Sequence, residues 1–354
     1  MNQVVPLITR IITNRSFSSL EPAFLHRLIT AFPKIREQLG ISPEVRWETA
    51  STAVLEKPNQ WLDPKLAQKL LRRDGVVMFN VGHAKSLGAW DQHGHEDNLS
   101  LCQRCSLDAV HEEYGFLQWR PWLRPVYDRI RQNDISGQQL CADSNNLRKL
   151  MEGLSLLYSD TPEKVLEGLS LAMAGVFYQA KAGLDIEQVF TLDAITDGIR
   201  QEFGEQVGAE FAELVEASRQ AIKADWDQAT ADVKTAEAEL VNKRLVDHPI
   251  LSDQLKRRQR GLLVRSNCRQ VAAAARRRGF DVVIVVRPNG HVQIFVSNMR
   301  QKKDSNVAAE QTISWRFDLG AVAYKLRLVE SGITGRRLEV GDWQASGVVF
   351  YFSS

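Results

Sequence analysis

The chain has 354 residues, 44% hydrophobic and 25% charged, with a net charge of +2. That length allows two domains with their own cores, and the composition is ordinary for a globular protein rather than a disordered or fibrous one. The longest early apolar run, 4–12, is interrupted by Pro6 and Arg10. It is too short and too polar to cross a bilayer, so we expect no membrane partner.

Cysteine usage indicates the compartment. Four scattered cysteines are too few for a disulfide framework and favour a reducing, cytoplasmic environment: Cys102, Cys105, Cys141 and Cys268. The N-terminus is basic, contains serine and has no acid before Glu21, so an organellar transit peptide is a second possibility.

The predicted elements begin with alternating strands and helices. We predict strands at 7–13 and 76–81, and helices at 21–39, 63–73, 106–115 and 126–133. Asp63 and Pro64 form a typical helix start. This βαβ rhythm is typical of a parallel sheet.

The second half is helical and then changes character. Thr161-Pro162-Glu163 begins a helix, and 203–245 has the long apolar stripe and charged flanks of an exposed helix. Residues 281–296 predict a β-hairpin, and 322–329 and 348–352 further strands or a helix–strand pair. We therefore predict an α/β fold: a parallel-sheet domain over 1–150, a helical bridge over 151–254, and a smaller α+β domain over 255–354.

Charge is concentrated in one segment. Between Lys256 and Lys303 there are thirteen Lys or Arg and one acid, Asp281, whereas the rest of the chain has 32 bases and 42 acids. Such a concentration of positive charge favours contact with a polyanion such as single-stranded RNA or DNA. The alternative is a solvated helix face that balances the acidic helix before it. The predicted nucleic-acid-binding residues are Arg257, Arg258, Arg260, Arg276, Arg277, Arg278, Lys302 and Lys303.

One segment has the residue types of a metal or phosphate site. The buried strand predicted at 76–81 leads to Trp90-Asp91-Gln92-His93-Gly94-His95-Glu96-Asp97. The chain contains no GxxxxGK[ST] loop, no GxGxxG and no GxSxG elbow.

These residues and others resemble the DHH phosphoesterase superfamily, in its melanocyte-proliferating-gene branch of nucleic-acid exonucleases. Phe79-Asn80-Val81-Gly82 and Ala89 to His93 resemble the family's Asp-Val-Gly strand end and its Tyr-Asp-His-His-Gln. Glu113-Tyr114-Gly115, 127–130, the hairpin and Trp343 to Gly347 resemble further family segments. The resemblance implies a two-metal phosphodiesterase fold in which Asp91 and His93 are catalytic ligands.

The same comparison predicts a degraded metal site. Two divalent ions held about 3.5–4 Å apart need several carboxylates and imidazoles, whereas amides are weak ligands and leucine is none. Family ligand positions are occupied here by Asn14, Ser18, Leu20, Asn80, Gln92 and Gln344. The carboxylate expected beside the third motif is either Asp128 or Asp134. We therefore expect a diverged phosphoesterase-like protein that binds nucleic acid or another phosphate polyanion with weak or no hydrolysis.

Several alternatives remain open from the sequence. An active 3′–5′ exonuclease would place Mn²⁺ or Mg²⁺ on Asp91, His93, His95, Asp97 and Asp128. A structural zinc would use His93, His95, Cys102 and Cys105. A structural or regulatory subunit would bind a protein partner through the long helix 203–245. Each of these readings competes with a simpler one, in which 95–97 is a solvated loop and the cysteines pack a helix start.

Overall fold

The computed structural model describes residues 7–14, 19–50, 75–79, 89–90, 105–243, 261–280, 282–288, 292–296, 343–346 and 349–352. The chain divides into two compact units, Met1–Ile222 and Lys223–Ser354, and the boundary falls inside the long helix. The predicted three-part division, 1–150, 151–254 and 255–354, is a different partition and stays a proposal.

The first unit contains a parallel sheet. Its strands are β1 (Ile8–Asn14), β2 (Ile41–Ala50), β3 (Val76–Phe79) and β4 (Ala89–Trp90). They lie in the order β2-β1-β3-β4, and every neighbouring pair is parallel. The expected mixed α/β class with a parallel sheet is therefore confirmed.

Helices make up most of the rest of this unit. They are α1 (Glu21–Ala31), α2 (Pro33–Gln38), α3 (Ser106–Tyr114), α4 (Phe116–Trp119), α5 (Arg124–Ser136), α6 (Leu147–Leu157), α7 (Pro162–Lys181), α8 (Ile186–Val189) and α9 (Leu192–Phe203), with a 3₁₀ turn at Pro121–Leu123. One continuous core joins the sheet to α1, α3 and the helices up to α9.

Two local features within the first fifty residues depart from the sequence prediction. The helix predicted at 21–39 is broken at Phe32, whose φ of −127° and ψ of 86° are extended. Pro33 explains the break, because proline disfavours the α conformation in the residue before it. Strand β2 was not predicted, since Pro43 interrupts its alternation; it is an edge strand whose register with β1 shifts between Ile8 and Arg10.

Other boundaries agree with prediction. Helix α3 ends at Gly115, which adopts φ 60° and donates its backbone N–H to the His111 carbonyl at 2.7 Å.

Helices α7 and α9 cross closely at two glycines. A Cβ added to Gly175 would lie 2.3 Å from the Ile195 carbonyl oxygen, and one on Gly198 would lie 2.6 Å from the Gly175 carbonyl oxygen.

The second unit is built on a mixed sheet. Helix α10 (Glu205–Lys243) begins in the first unit and ends in the second. It is followed by β5 (Gly261–Arg265), α11 (Val271–Arg277), β6 (Val282–Val286), β7 (Val292–Val296), β8 (Trp343–Ser346) and β9 (Val349–Phe352). The strand order is β5-β6-β7-β9-β8, with β5 and β6 parallel and the other pairs antiparallel.

The predicted hairpin is confirmed as β6 and β7. The core of the second unit joins α10, through residues such as Ala229 and Val233, to β5, α11 and β6. The helix start at Asp63-Pro64 and the apolar run 322–329 lie outside the described residues. No described helix has the length and hydropathy needed to cross a membrane.

Candidate functional site

The first candidate region is the carboxyl edge of the parallel sheet. Strand β2 pairs with one side of β1, and β3, the next strand in the chain, pairs with the other side of β1. Thr13 pairs with Phe79, so β1 and β3 end side by side. Ligands of open α/β sheets bind at such a reversal of strand order. The Thr13 hydroxyl oxygen is buried there and has no hydrogen-bond partner among the described residues.

Glu21 lies beside this edge, at the first position of α1, and is fully buried. Its Oε1 accepts the Leu107 backbone N–H at 3.2 Å, and its Oε2 accepts the Ser19 hydroxyl at 3.2 Å. Burial and then the charge of Asp134 raise the pKa of the Glu21 carboxyl to about 8. These two causes outweigh the hydrogen bonds, which favour the ionised form. Burial therefore favours the neutral form of the Glu21 carboxyl.

A second polar group surrounds Asp108, in the first turn of α3. Its carboxylate accepts the Cys105 backbone N–H at 3.0 Å and the Arg131 Nε–H at 2.9 and 3.0 Å, and it also accepts the Tyr127 hydroxyl. Burial raises the pKa of the Tyr127 hydroxyl and of the Cys105 thiol above their usual ranges. These groups hold α3 against α5, and the thiol is not in its nucleophilic form.

Sequence reasoning did not identify Asp108, Tyr127 or Arg131. The spacing from Cys105 to Asp108 is that of a capping box, in which the third helical residue bonds back to the residue before the helix. Cysteine is an unusual residue at the start of such a box, so the signal was weak. Tyr127 and Arg131 are four apart and therefore share one face of α5.

Most of the predicted metal ligands lie outside the described residues: Asp91, His93, His95, Asp97 and Cys102. Asp128 is described, half-buried on α5, and its charge acts on His111. Asp134, the other candidate for the third-motif carboxylate, acts on Glu21. Within the described ranges, no group of three or more His, Cys, Asp or Glu side chains is placed to hold a metal ion. Cys105 packs at the start of α3.

The altered family positions fall in three places. Asn14 ends β1, at the carboxyl edge of the sheet. Leu20 is 1% exposed and belongs to the hydrophobic core, where it offers no ligand. Gln344 lies in β8 of the second unit and pairs with Tyr351. Ser18, Asn80 and Gln92 lie outside the described residues.

The second candidate region is the basic segment, of which Arg276, Arg277 and Arg278 are described and exposed. The Arg277 guanidinium lies 4.3 Å from the centre of the Trp226 ring on α10. Arg278 donates to the Glu237 carboxylate at 2.8 and 2.5 Å. Part of this charge therefore does balance the acidic helix. Arg257, Arg258, Arg260, Lys302 and Lys303 lie outside the described residues.

The third candidate region is a pocket of about 660 Å³ at the carboxyl ends of β5 and β6. These two strands are parallel and end at Arg265 and Val286, so the residues that follow them meet at one edge. The lining residues are Gln228, Asp232, Arg265, Ser266, Asn267, Cys268, Val286, Arg287 and Pro288.

Arg287 is fixed in this pocket by hydrogen bonds to neutral groups. It donates to the Ser266 and Cys268 carbonyls at 3.1 and 2.7 Å, and to the Gln293 side-chain oxygen at 3.0 and 2.8 Å. Burial lowers the pKa of its guanidinium, which is still a cation because arginine is not deprotonated in proteins. The pocket thus contains a half-buried cation whose described hydrogen bonds go to uncharged oxygens, and the negative charge of Asp225 also acts on it.

The start of α11, close to the same pocket, is already capped. The Asp225 carboxylate of α10 accepts the backbone N–H groups of Arg269 and Gln270 at 3.1 and 2.9 Å. An acid in this position satisfies donors that would otherwise be open to an anion.

Comparison with known proteins adds little to this geometry. No family model matches the chain, and no curated protein is similar to it. A crystal structure of an uncharacterized protein from Helicobacter pylori G27 is 12% identical, with a TM-score of 0.29, over 97% of this chain and 92% of that chain. At that TM-score the likeness carries no argument about fold or activity.

Proposed function

We propose that this chain is a diverged DHH-type phosphoesterase-like protein that binds nucleic acid and has lost the standard two-metal site. The observation that carries the proposal is the chemistry of the β1–β3 edge. The resemblance assigns metal ligands to the end of β1 and to the start of α1, where this chain has Asn14 and the buried Leu20. Neither residue type holds a divalent ion well.

The retained acid supports the same reading. The amino-terminal motif of the family that this chain resembles ends in a glutamate, which is present here as Glu21. This residue is fully buried and bonded to Leu107 and Ser19. Both of its carboxyl oxygens already accept hydrogen bonds from within the fold, which leaves fewer lone pairs for a metal ion.

Nucleic-acid binding is supported by the charge of the second unit. Arg276 to Arg278 are exposed, and they belong to a segment with thirteen bases and one acid. Arg277 and Arg278 contact Trp226 and Glu237 and are still exposed at the surface, where guanidiniums can meet phosphates. Binding of this kind weakens steeply with salt, because phosphate contacts release counterions.

The test measures fluorescence anisotropy of a labelled single-stranded RNA and of the matching DNA at rising salt. We expect a negative salt slope that becomes shallower by roughly two in Arg276→Ala/Lys302→Ala/Lys303→Ala. Lys234→Ala, which removes an exposed cation of α10, is the control and leaves the slope unchanged. Binding that is independent of salt contradicts the proposal.

Catalysis is tested on the same preparation. We expect no manganese-dependent cleavage and less than one bound metal per chain by elemental analysis. Cleavage that requires manganese and disappears in Asp91→Ala/His93→Ala would establish the active-exonuclease alternative instead.

A further inference from the structure

We propose that residues 297–342, which connect β7 to β8, pack against the apolar outer face of the second sheet. The inner face of this sheet packs against α10 and α11, and we call the opposite face the outer face. The connection lies outside the described residues, whereas the strands at both of its ends are described. The proposal concerns the cover of the sheet and does not depend on nucleic-acid binding.

The outer face carries apolar side chains in paired positions on three neighbouring strands. In β5, Leu262 and Val264 are buried in the core with α10 and α11, so Leu263 between them points to the outer side. Leu263 pairs with Ile284, and Ile284 pairs with Ile294, which places all three on one face. Leu263 is 51% exposed, and the two isoleucines are half-buried. An apolar face of this kind marks a contact surface.

The connection from β7 to β8 has to cross one of the two faces. Strand β7 is antiparallel to β9, and β9 is antiparallel to β8, so β7 and β8 run in the same direction. The chain therefore leaves β7 at one end of the sheet and enters β8 at the other end. Parallel strands need a crossover connection of about a dozen residues or more, and 297–342 is longer than that.

The handedness of crossovers selects the outer face. Strands β5 and β6 are parallel, and α11, which connects them, lies on the inner face. The step from β7 to β8 moves across the sheet in the same sense, but β7 runs antiparallel to β6. Crossovers between parallel strands are right-handed in about 98% of cases. Two right-handed crossovers that step in the same sense from strands of opposite direction lie on opposite faces, so the crossover from β7 to β8 belongs to the outer face.

The sequence of the connection offers a matching apolar surface. Apolar and polar residues alternate in one stretch of it, and the apolar ones are Ile313, Trp315, Phe317 and Leu319. Alternation of this kind is typical of a segment that is buried on one side only. Packing these side chains against the outer face removes two apolar surfaces from water at once.

The experiment places the photoreactive residue p-benzoylphenylalanine at position 294 of the full chain. After irradiation, mass spectrometry identifies the peptides that are cross-linked to it. We expect cross-links within one chain to peptides from 297–342. The same photoreactive residue at Lys234, an exposed position of α10 on the other side of the sheet, is the matched control and should give none to these peptides.

Trypsin cleavage of the unmodified chain is a second measurement, which needs no substitution in the sheet. The bond after Arg316 should be cut at least about tenfold more slowly than the same bond in a synthetic peptide of residues 310–322, because a packed segment is cut only when it opens. Ile294→Asp should bring the rate close to that of the peptide, whereas Lys234→Ala leaves it unchanged.

Three results would overturn the proposal. One is a set of cross-links from position 294 that contains no peptide from 297–342. Another is cleavage after Arg316 in the unmodified chain at the rate of the synthetic peptide. The third is a cross-linked product of twice the mass of the chain, which would show that a second copy covers the outer face.

Discussion

The substitution Glu21→Gln tests whether Glu21, at the first position of α1, is a neutral acid in the folded protein. Glu21 is fully buried, and burial with the nearby Asp134 raises the pKa of its carboxyl from 4.5 to about 8. Glutamine has the same shape as the protonated acid. Its oxygen accepts the Leu107 N–H as Oε1 does, and its amide nitrogen takes the place of Oε2 and donates to the Ser19 hydroxyl, with the direction of that hydrogen bond reversed. The variant is therefore expected to keep the native contacts and to lose the titration.

The direction of the pH effect on the free energy of unfolding follows from proton binding by Glu21 in the folded and the unfolded protein. Between about pH 4.5 and about pH 8 the folded protein keeps the Glu21 proton, whereas the unfolded chain releases it. The stabilisation that comes from the Glu21 proton is therefore fully present below about pH 4.5 and is lost as the pH rises to about 8. A pKa difference of this size corresponds to about 3 kcal/mol at pH 7 and about 4–5 kcal/mol above pH 8, which Glu21→Gln recovers.

The assay is urea unfolding of both proteins from about pH 5 to about pH 8. Taking the difference between the two free energies of unfolding cancels the titration of other groups. We expect the stabilisation by Glu21→Gln to grow with pH, while Glu213→Gln, at an exposed position of α10, gives a flat difference. A flat difference for Glu21→Gln, or a loss of stability that grows with pH, would refute the reasoning.

Three further predictions concern other parts of the fold. Burial, with a smaller effect of the Arg27 charge, lowers the pKa of His26 to about 4, and the His26 Nδ1 lies 2.6 Å from the Ser170 hydroxyl oxygen. NMR of the His26 ring should therefore show a neutral imidazole at about pH 5.5, and a titration near 6.5 would contradict this. Gly175→Ala should lower the free energy of unfolding by about 2 kcal/mol or more, seen as a lower urea midpoint, because the added Cβ would lie 2.3 Å from the Ile195 carbonyl oxygen. An unchanged midpoint would place α7 and α9 further apart. Asp225→Ala should lower the free energy of unfolding by about 1–2 kcal/mol, because it removes the cap on α11. The loss should be seen as faster hydrogen exchange of the Arg269 and Gln270 amides, and unchanged exchange would show that the cap contributes little.

Local patterns in the sequence account for the elements that were predicted correctly. The end of α3 at Gly115, the start of α7 at Pro162 and the β6–β7 hairpin each depend on a few neighbouring residues. Capping, proline geometry and alternation act over that range, so they can be read without tertiary structure. The basic segment is visible in the same way, because charge is counted along the chain.

The candidate sites could not be obtained in this manner. Glu21 is held by Leu107, the start of α11 is capped by Asp225, and the pocket combines Arg265 with Arg287 and Asp232. These partners are far apart in sequence, and strand order decides which of them share an edge. The residue types alone set what each group is able to bind or donate. Burial and distant charges decide whether it is ionised and whether it has a partner, because desolvation and Coulomb interactions depend on distance in space rather than along the chain.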